Sequence, residues 1–156
     1  MIRVLAIIWL IFAAPLAGAA PKISESVKYY AVTGSTLGEL RRDMARRAPN
    51  GFWGFTRWWI TWTRNCAVNL EITITMPRLD PVAQLSAQDR RIWDAMIDAL
   101  YRHEQLHAEH GRRAAAEIHQ TNCSNPRRVI RNWAQRDRIL DRETRHGATQ
   151  GVALPD

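Results

Sequence analysis

Cysteine is scarce in this chain, with only two among 156 residues. Two cysteines are too few for a miniature scaffold held together by several disulfides, and too few for a four-cysteine zinc ribbon. The chain also lacks the length of a barrel enzyme, or of a dinucleotide-binding domain joined to a partner domain. What it has is 46% hydrophobic residues and 7 tryptophans, so the composition excludes intrinsic disorder and predicts one globular domain.

An apolar run without any charged residue lies near the N-terminus, directly after the single basic residue Arg3. The run leads to Ala17-Gly18-Ala19, the small-x-small pattern of a signal peptidase site. A membrane anchor is the alternative, but the run is short for a bilayer span, and no cysteine follows it to carry a lipid. We therefore predict a cleaved signal peptide at residues 1–19 and a single exported domain at 20–156, located in the periplasm or secreted.

Export decides how the two cysteines are interpreted. In an oxidising compartment Cys66 and Cys123 are expected to form a disulfide with each other, whereas the alternative is two buried free thiols. Because the two residues are far apart in sequence, the bond would close a long loop and stabilise the folded chain by about 3–4 kcal/mol.

Basic residues outnumber acidic ones, with 22 Lys and Arg against 15 Asp and Glu and a net charge of +7. Many arginines occur in pairs on predicted helices, a pattern typical of solvated helix faces. Since export removes the protein from nucleic acid, we expect no nucleic-acid partner. Weak contact with anionic lipid headgroups or acidic envelope polymers fits the charge better. We expect the protein to be a monomer.

Hydrophobic periodicity predicts a mixture of strands and helices. Cys66 to Met76 alternates between apolar and polar residues, as in a half-buried antiparallel strand that Pro77 ends. Ser86 suits the N-cap of a long helix, and Asn125-Pro126 opens another. We predict an α+β fold: a small antiparallel sheet of about three strands packed on the long helix and a second, C-terminal helix. The predicted strands are 24–33, 52–63 and 66–76, and the predicted helices are 36–47, 86–120 and 125–145.

The long predicted helix carries His103-Glu104-Gln105-Leu106-His107, an H-E-x-x-H pattern. Histidines four residues apart lie one turn apart on the same helix face, so both imidazoles can reach one metal ion. That face is otherwise apolar, and buried histidines need partners, which favours a metal over a solvated face or over satisfied core histidines. Neutral imidazoles with an open coordination position suit Zn²⁺, and Glu104 is placed to act on a metal-bound water.

Such a site needs a third protein ligand, and the long helix does not supply one with easy geometry. A metzincin would have a histidine where this chain has Arg113, so that subclass is excluded. His110 shares the face, but three ligands in a row on one straight helix converge poorly on one ion. The residues alone leave the choice open among four side chains of the second helix or its end: Asp137, Asp141, Glu143 and His146.

Five blocks of sequence occur in order along nearly all of the mature chain. They are Tyr29-Tyr30 with Gly34-Ser35-Thr36 and Glu39-Leu40; Phe52-Trp53-Gly54 with Thr56, Trp58 and Trp62; Ile72 to Arg78; His103-Glu104-x-x-His107; and Asp141-x-x-Thr144-x-His146-Gly147-x-x-Gln150-Gly151. Together the blocks resemble a bacterial family of predicted secreted zinc-dependent proteases, a domain of largely unknown function with an H-E-x-x-H motif. One departure is Leu106, since the family has glycine before the second histidine.

The resemblance implies a minimal zincin-like domain, with a sheet over a metal-bearing helix, and activity as a zinc-dependent peptidase. Its C-terminal block implies His146 as the third zinc ligand, with Asp141 as the alternative ligand or as a partner that orients an imidazole. Glu104 would be the general base in hydrolysis of a peptide or protein substrate in the cell envelope, and a free sheet edge could pair with that peptide. The competing hypothesis is a metal-binding envelope protein that interacts with partners and has no catalytic activity.

Overall fold

The computed structural model describes residues 19–155, so the predicted signal peptide lies outside the described residues except for Ala19. Within this range the chain forms one three-stranded sheet and three α-helices. The strands are β1 (Lys22–Val32), β2 (Phe55–Trp62) and β3 (Val68–Leu79), and the helices are α1 (Leu37–Arg47), α2 (Ala87–Gln120) and α3 (Pro126–Thr144). No helix between residues 19 and 155 is long and apolar enough to cross a membrane.

The sheet has the order β1-β3-β2. β2 runs antiparallel to β3, with Trp58 opposite Ile72, whereas β1 runs parallel to β3, with Val27 beside Ile74. The predicted α+β class, three-stranded sheet, long helix and C-terminal helix are confirmed, but the sheet is mixed rather than wholly antiparallel. The reason is that α1 and β2 lie between β1 and β3 in the chain, and a crossover of this length allows two strands to run in the same direction.

The prediction that Pro77 ends the third strand is wrong, because β3 continues to Leu79. Pro77 is buried and pairs with Tyr30 of β1. On the other side of β3, pairing with β2 begins only at Thr75, opposite Phe55. Beyond Thr75 that side of β3 is unpaired within the sheet, so a residue without an N–H is tolerated there as it is on an edge strand.

The core lies between one face of the sheet and the apolar stripe of α2. Alternate residues of β3 point into it, and the residues between them point to the open face of the sheet. Trp93, Met96 and Leu100 of α2 are each 3% exposed or less, and they cover the inward face of β3. The inward residues of β3 are Val68, Leu70, Ile72, Ile74 and Met76.

α1 packs beside β1 and carries a buried acid. Asp43 is 1% exposed, yet its carboxylate accepts hydrogen bonds from the Thr33 N–H at 3.0 Å, from Arg46 at 2.8 Å and from Arg47 at 3.0 Å. The Thr33 hydrogen bond and the two guanidinium groups outweigh burial and lower the pKa of Asp43 to about 2. This ionised carboxylate therefore joins the end of β1 to the end of α1.

The predicted disulfide between Cys66 and Cys123 is confirmed. Cys66 lies just before β3, and Cys123 lies in the turn between α2 and α3, so the bond joins the sheet to the far end of the long helix. A disulfide of this kind indicates an oxidising compartment, periplasmic or extracellular.

Candidate metal centre

The middle of α2 presents two imidazoles to the interior. His103 and His107 are 3% and 8% exposed, and their Nε2 atoms are 3.3 Å apart. They continue the stripe of Met96 and Leu100, so the packing that holds α2 against the sheet also buries the histidines. α3 packs alongside and places Asp141 Oδ1 3.2 Å from His103 Nε2 and 3.1 Å from His107 Nε2. Three potential ligand atoms from two helices therefore meet at one point.

The other nitrogen of each imidazole already has a hydrogen-bond partner. His103 Nδ1 donates to Gln150 Oε1 at 2.8 Å, and His107 Nδ1 donates to Asp137 Oδ1 at 3.0 Å. A neutral imidazole carries a single N–H, so both Nε2 atoms hold lone pairs. These lone pairs point at the carboxylate of Asp141, which is itself only an acceptor when ionised. Three acceptors in contact need a shared cation between them, either a proton or a metal ion.

The spacing of the three atoms fits a bound metal ion. A tetrahedral site with bonds of about 2.0–2.1 Å has ligand atoms about 3.3–3.4 Å apart. The distances among His103 Nε2, His107 Nε2 and Asp141 Oδ1 are 3.1, 3.2 and 3.3 Å. Little movement of the side chains would therefore be needed for all three to bind one ion.

Asp137 lies on the outer side of this group. Its Oδ1 accepts from His107 Nδ1 and, at 2.7 Å, from His110 Nδ1, while its Oδ2 accepts from the Trp58 indole at 2.9 Å. Burial acts to raise the pKa of Asp137, but the hydrogen bonds from His107, His110 and Trp58 lower it overall. Burial acts to lower the pKa of His107, because it disfavours the charged imidazole. Asp137 and the nearby carboxylates outweigh burial and raise this pKa overall. The centre therefore lies in a negative field that favours a bound cation.

His107, His110 and Asp137 also qualify as a close group of potential ligands. In that group, however, both imidazole Nδ1 atoms are within 3.0 Å of one carboxylate oxygen and donate to it. The hydrogen bonds account for the contact without an ion, so Asp137 is best described as the residue that orients His107 and His110.

Glu104 lies beside the histidines and faces the segment before β2. It is 4% exposed, and a Cβ atom on Gly54 would lie 2.6 Å from its Oε1, so only glycine leaves room for the carboxylate. Burial raises the pKa of Glu104, and the hydrogen bond from Thr56 and the neighbouring imidazoles offset only part of this effect. Thr56 Oγ1 donates to the Glu104 backbone carbonyl at 3.1 Å, which joins the start of β2 to α2.

His146 lies at the rim of the centre. Its Nδ1 is 3.5 Å from Asp141 Oδ1, its side chain is 55% exposed, and its ring contacts Phe52 with centroids 4.8 Å apart. The close group of three contains Asp141 and leaves His146 outside. Glu143, which the sequence also left open, is exposed. The assignment of His146 as third ligand stays a prediction.

The chain reverses sharply after α3. Arg145, His146 and Gly147 have positive φ angles of 51°, 53° and 82°. Such a conformation costs about 1–3 kcal/mol for each non-glycine residue, so the turn is imposed by its surroundings. A Cβ atom on Gly147 would lie 3.1 Å from His103 Cγ, which shows how closely the turn packs on the centre. This reversal carries Gln150 back to His103 Nδ1.

A cleft of about 490 Å³ opens onto the three ligand atoms and Glu104. One wall is mainly apolar, and the other carries the histidines and the carboxylates of α3. β2 pairs only with β3, so its other edge is free of strand partners among the described residues. The apolar part of the cleft is formed by Phe52, Trp53, Phe55, Leu100 and Val152.

Several residues that shape the centre carry no clear signal of that role in the sequence. Asp137 was one of four open ligand candidates, and its role in orienting His107 follows only from the packing of α3 on α2. Trp58 and Gly54 were visible as parts of an aromatic block, but nothing in that block predicts contact with Asp137 or Glu104. Gln150 belongs to the C-terminal block, which was the only available signal for it.

The fold and the centre define this chain as a small α+β protein with a His–His–Asp group suited to a metal ion. It belongs to a bacterial protein family of unknown function, DUF922, whose model matches residues 27–147. The description of that family names neither protease activity nor zinc. No curated protein matches the chain, and no solved structure matches it.

Proposed function

We propose that this protein is a zinc-dependent peptidase of the bacterial cell envelope. The observation that carries the proposal is the convergence of three acceptor atoms in a buried negative field, next to a buried glutamate and an open cleft. Two imidazole nitrogens and one carboxylate oxygen, with a position left open, form a donor set typical of catalytic zinc sites. Bound there, Zn²⁺ would polarise a substrate carbonyl and lower the pKa of water toward about 7.

The proposed ligands are His103, His107 and Asp141, because their atoms already lie at ligand spacing. His146 is the competing third ligand, and its distance of 3.5 Å from Asp141 makes it the residue to test beside it. Zinc affinity measured by chelator competition distinguishes the two. We expect a large loss in Asp141→Ala and a small one in His146→Ala, with Glu143→Ala as the exposed control; the reverse order would give the ligand role to His146.

Glu104 is proposed to transfer protons. Its carboxylate faces the cleft, and burial raises its pKa, which makes the ionised group a stronger proton acceptor. It would accept a proton from the attacking water and deliver that proton to the leaving amine. Gly54 leaves room for the carboxylate, so packing helps to hold the proton acceptor in place.

The substrate is proposed to be an extended peptide. The cleft begins at the start of β2, where Phe55 and Thr56 lie on a strand whose outer edge has no strand partner among the described residues. An extended chain could add to that edge through backbone hydrogen bonds and pass the centre. The apolar wall of the cleft would then accept a side chain of the peptide.

Two measurements on the purified mature protein test the proposal. Metal analysis should find one zinc per chain, and digestion of a peptide library should give cleavage at defined positions. Glu104→Gln should keep the zinc and abolish cleavage, because the amide preserves the shape and removes the base. His107→Ala should lose both, and full zinc content in that variant would refute the proposed centre.

The competing function is a metal-binding protein without catalysis. The same set of variants decides between the two functions. If the wild type holds zinc but cleaves no member of the library, and if Glu104→Gln behaves like the wild type in every assay, the metal has a structural or binding role and the peptidase proposal fails.

A further inference from the structure

One side of α3 carries a row of cationic side chains that the metal centre does not use. Four of them, separated by four, seven and four residues, fall along one side of the helix over about 22 Å. All four are exposed. We call these residues the arginine stripe: Arg127, Arg131, Arg138 and Arg142.

The arginine stripe combines alignment along one helix side with a lack of acidic partners. Arg90, Arg112 and Arg113 of α2 form ion pairs with Asp94, Glu25 and Glu109, respectively. No member of the stripe forms an ion pair within residues 19–155, and Arg138 bonds only to the neutral side chain of Gln135. The two aspartates of α3, at 137 and 141, turn inward to the histidines. Glu143, the remaining acid of α3, is exposed but lies about a third of a turn around the helix from the stripe. The stripe is therefore a row of positive charge without an acidic partner on its own side of α3.

The guanidinium groups of the stripe indicate which class of ligand it would bind. Guanidinium groups present paired N–H donors that match the oxygens of a phosphate group. The large exposed hydrophobic residues of the described chain all lie outside α3, so this face offers charge without apolar side chains for insertion. A straight row of guanidinium groups in one plane matches a flat array of phosphates better than it matches a folded acidic protein.

We propose that the arginine stripe docks the protein on the surface of a membrane that contains anionic phospholipids. Binding of this kind is electrostatic and peripheral, with each arginine near the surface adding to the affinity. The oxidising compartment indicated by the Cys66–Cys123 disulfide places the protein where it meets envelope membranes.

The position of the stripe also sets how the cleft would lie against the membrane. With 3.6 residues per turn, the stripe is about a quarter-turn around α3 from Asp137 and Asp141. The cleft therefore opens beside the bound surface and is not closed by it. Docking needs neither the metal nor Glu104, so this proposal stands or fails independently of the peptidase.

Vesicle sedimentation with the mature protein tests the proposal. Vesicles of phosphatidylcholine alone are compared with vesicles that contain 30% phosphatidylglycerol, both at low and at physiological salt (about 0.15 M, where the Debye length is about 8 Å). We expect binding to the anionic vesicles only, weakened by salt. Replacing all four arginines of the stripe by glutamine should reduce the affinity at least about a hundredfold, since each contributes about 1 kcal/mol.

A matched control removes four exposed arginines elsewhere: Arg64, Arg90, Arg91 and Arg113, also replaced by glutamine. The net charge changes equally in both variants, so they differ only in where the charge is removed. If the stripe is the docking surface, this control should keep most of the affinity. Equal losses in the two variants would show that net charge alone drives binding and would overturn the proposal. Failure of the wild type to bind anionic vesicles, with stripe-dependent binding to soluble polyglutamate instead, would assign the surface to an acidic polypeptide and also overturn it.

Discussion

At the scale of single residues, the candidate centre depends on side chains that are not among its potential ligands. Glu104 can occupy its position only because residue 54 has no side chain, and a Cβ there would also lie 2.9 Å from Leu100. His107 is held by Asp137, which is itself fixed by the Trp58 indole. These contacts fix the orientation of His107 and the position of Glu104 within the candidate centre.

Gly54→Ala should disturb Glu104 without removing a ligand. The added methyl group overpacks the wall of the cleft, so we expect the free energy of unfolding to fall by about 1–3 kcal/mol. Zinc affinity should change little, while any peptide cleavage should fall sharply. Urea unfolding and zinc titration measure the two effects. Gly38→Ala, in the open surface of α1, is the control and should stabilise the protein by about 0.5–1 kcal/mol; equal effects of the two changes would contradict the packing argument.

Asp137→Asn should weaken metal binding although Asp137 is not a proposed ligand. The amide keeps the size of the side chain but removes the charge that fixes the Nδ1–H tautomer of His107 and the pairing with His110. We expect zinc affinity to fall about ten- to a hundredfold. Chelator competition provides the measurement, and Asp98→Asn on the exposed side of α2 is the control. An unchanged affinity would mean that packing alone orients His107.

At the scale of secondary-structure elements, the junction of β1 and α1 is held by one ionised carboxylate. The pKa of Asp43 is lowered to about 2, first by the Thr33 hydrogen bond and then by the arginines, against the opposing effect of burial. A carboxyl group with a lowered pKa stabilises the fold above the pKa of the unfolded chain, about 3.9. That contribution is lost as the pH falls from about 4 through about 2.

Asp43→Asn should therefore destabilise the protein most near neutral pH. We expect a loss of about 1–3 kcal/mol in the free energy of unfolding at pH 6, because charged hydrogen bonds to a buried group are replaced by weaker ones. The difference from the wild type should shrink between pH 4 and pH 2, as the wild-type carboxylate takes up its proton. Urea titrations at several pH values measure this. Asp94→Asn, which breaks an exposed pair with Arg90, should change stability by less than about 1 kcal/mol throughout.

At the scale of the whole molecule, the disulfide and the His–His–Asp group connect different parts of the fold. The Cys66–Cys123 bond spans a sequence separation of 57 residues and joins β3 to the end of α2. His103, His107 and Asp141 instead bring the middle of α2 into contact with the C-terminal part of α3. The sheet, α2 and α3 are thus connected at two distant points along the long helix.

Replacing both cysteines by serine should lower the free energy of unfolding by about 4 kcal/mol, because the unfolded chain gains the freedom of the opened loop. Zinc affinity of the folded variant should remain close to that of the wild type, since the bond is remote from His103 and His107. Urea unfolding with and without saturating zinc tests both statements. A variant that folds but has lost its zinc affinity would show that the disulfide also positions α3.

The amino-acid sequence by itself determined the features that depend on local periodicity or on simple counting. His103 and His107 share a face because every α-helix brings residues four apart together, and two cysteines allow only one intramolecular pair. The α+β class follows from alternation in β3 and from the long amphipathic stripe of α2. These properties follow from local pattern or from the number of cysteines, so no knowledge of packing was needed.

Only the tertiary structure decided which groups meet across elements. Asp137 and Asp141 are four residues apart on α3, as the histidines are on α2, but the sequence cannot set the register of one helix against the other. Nor could it determine the parallel pairing of β1 with β3, or the need for glycine beside Glu104. These features depend on distances between segments remote in the chain, which are fixed by how the core packs and not by the pattern within any one segment.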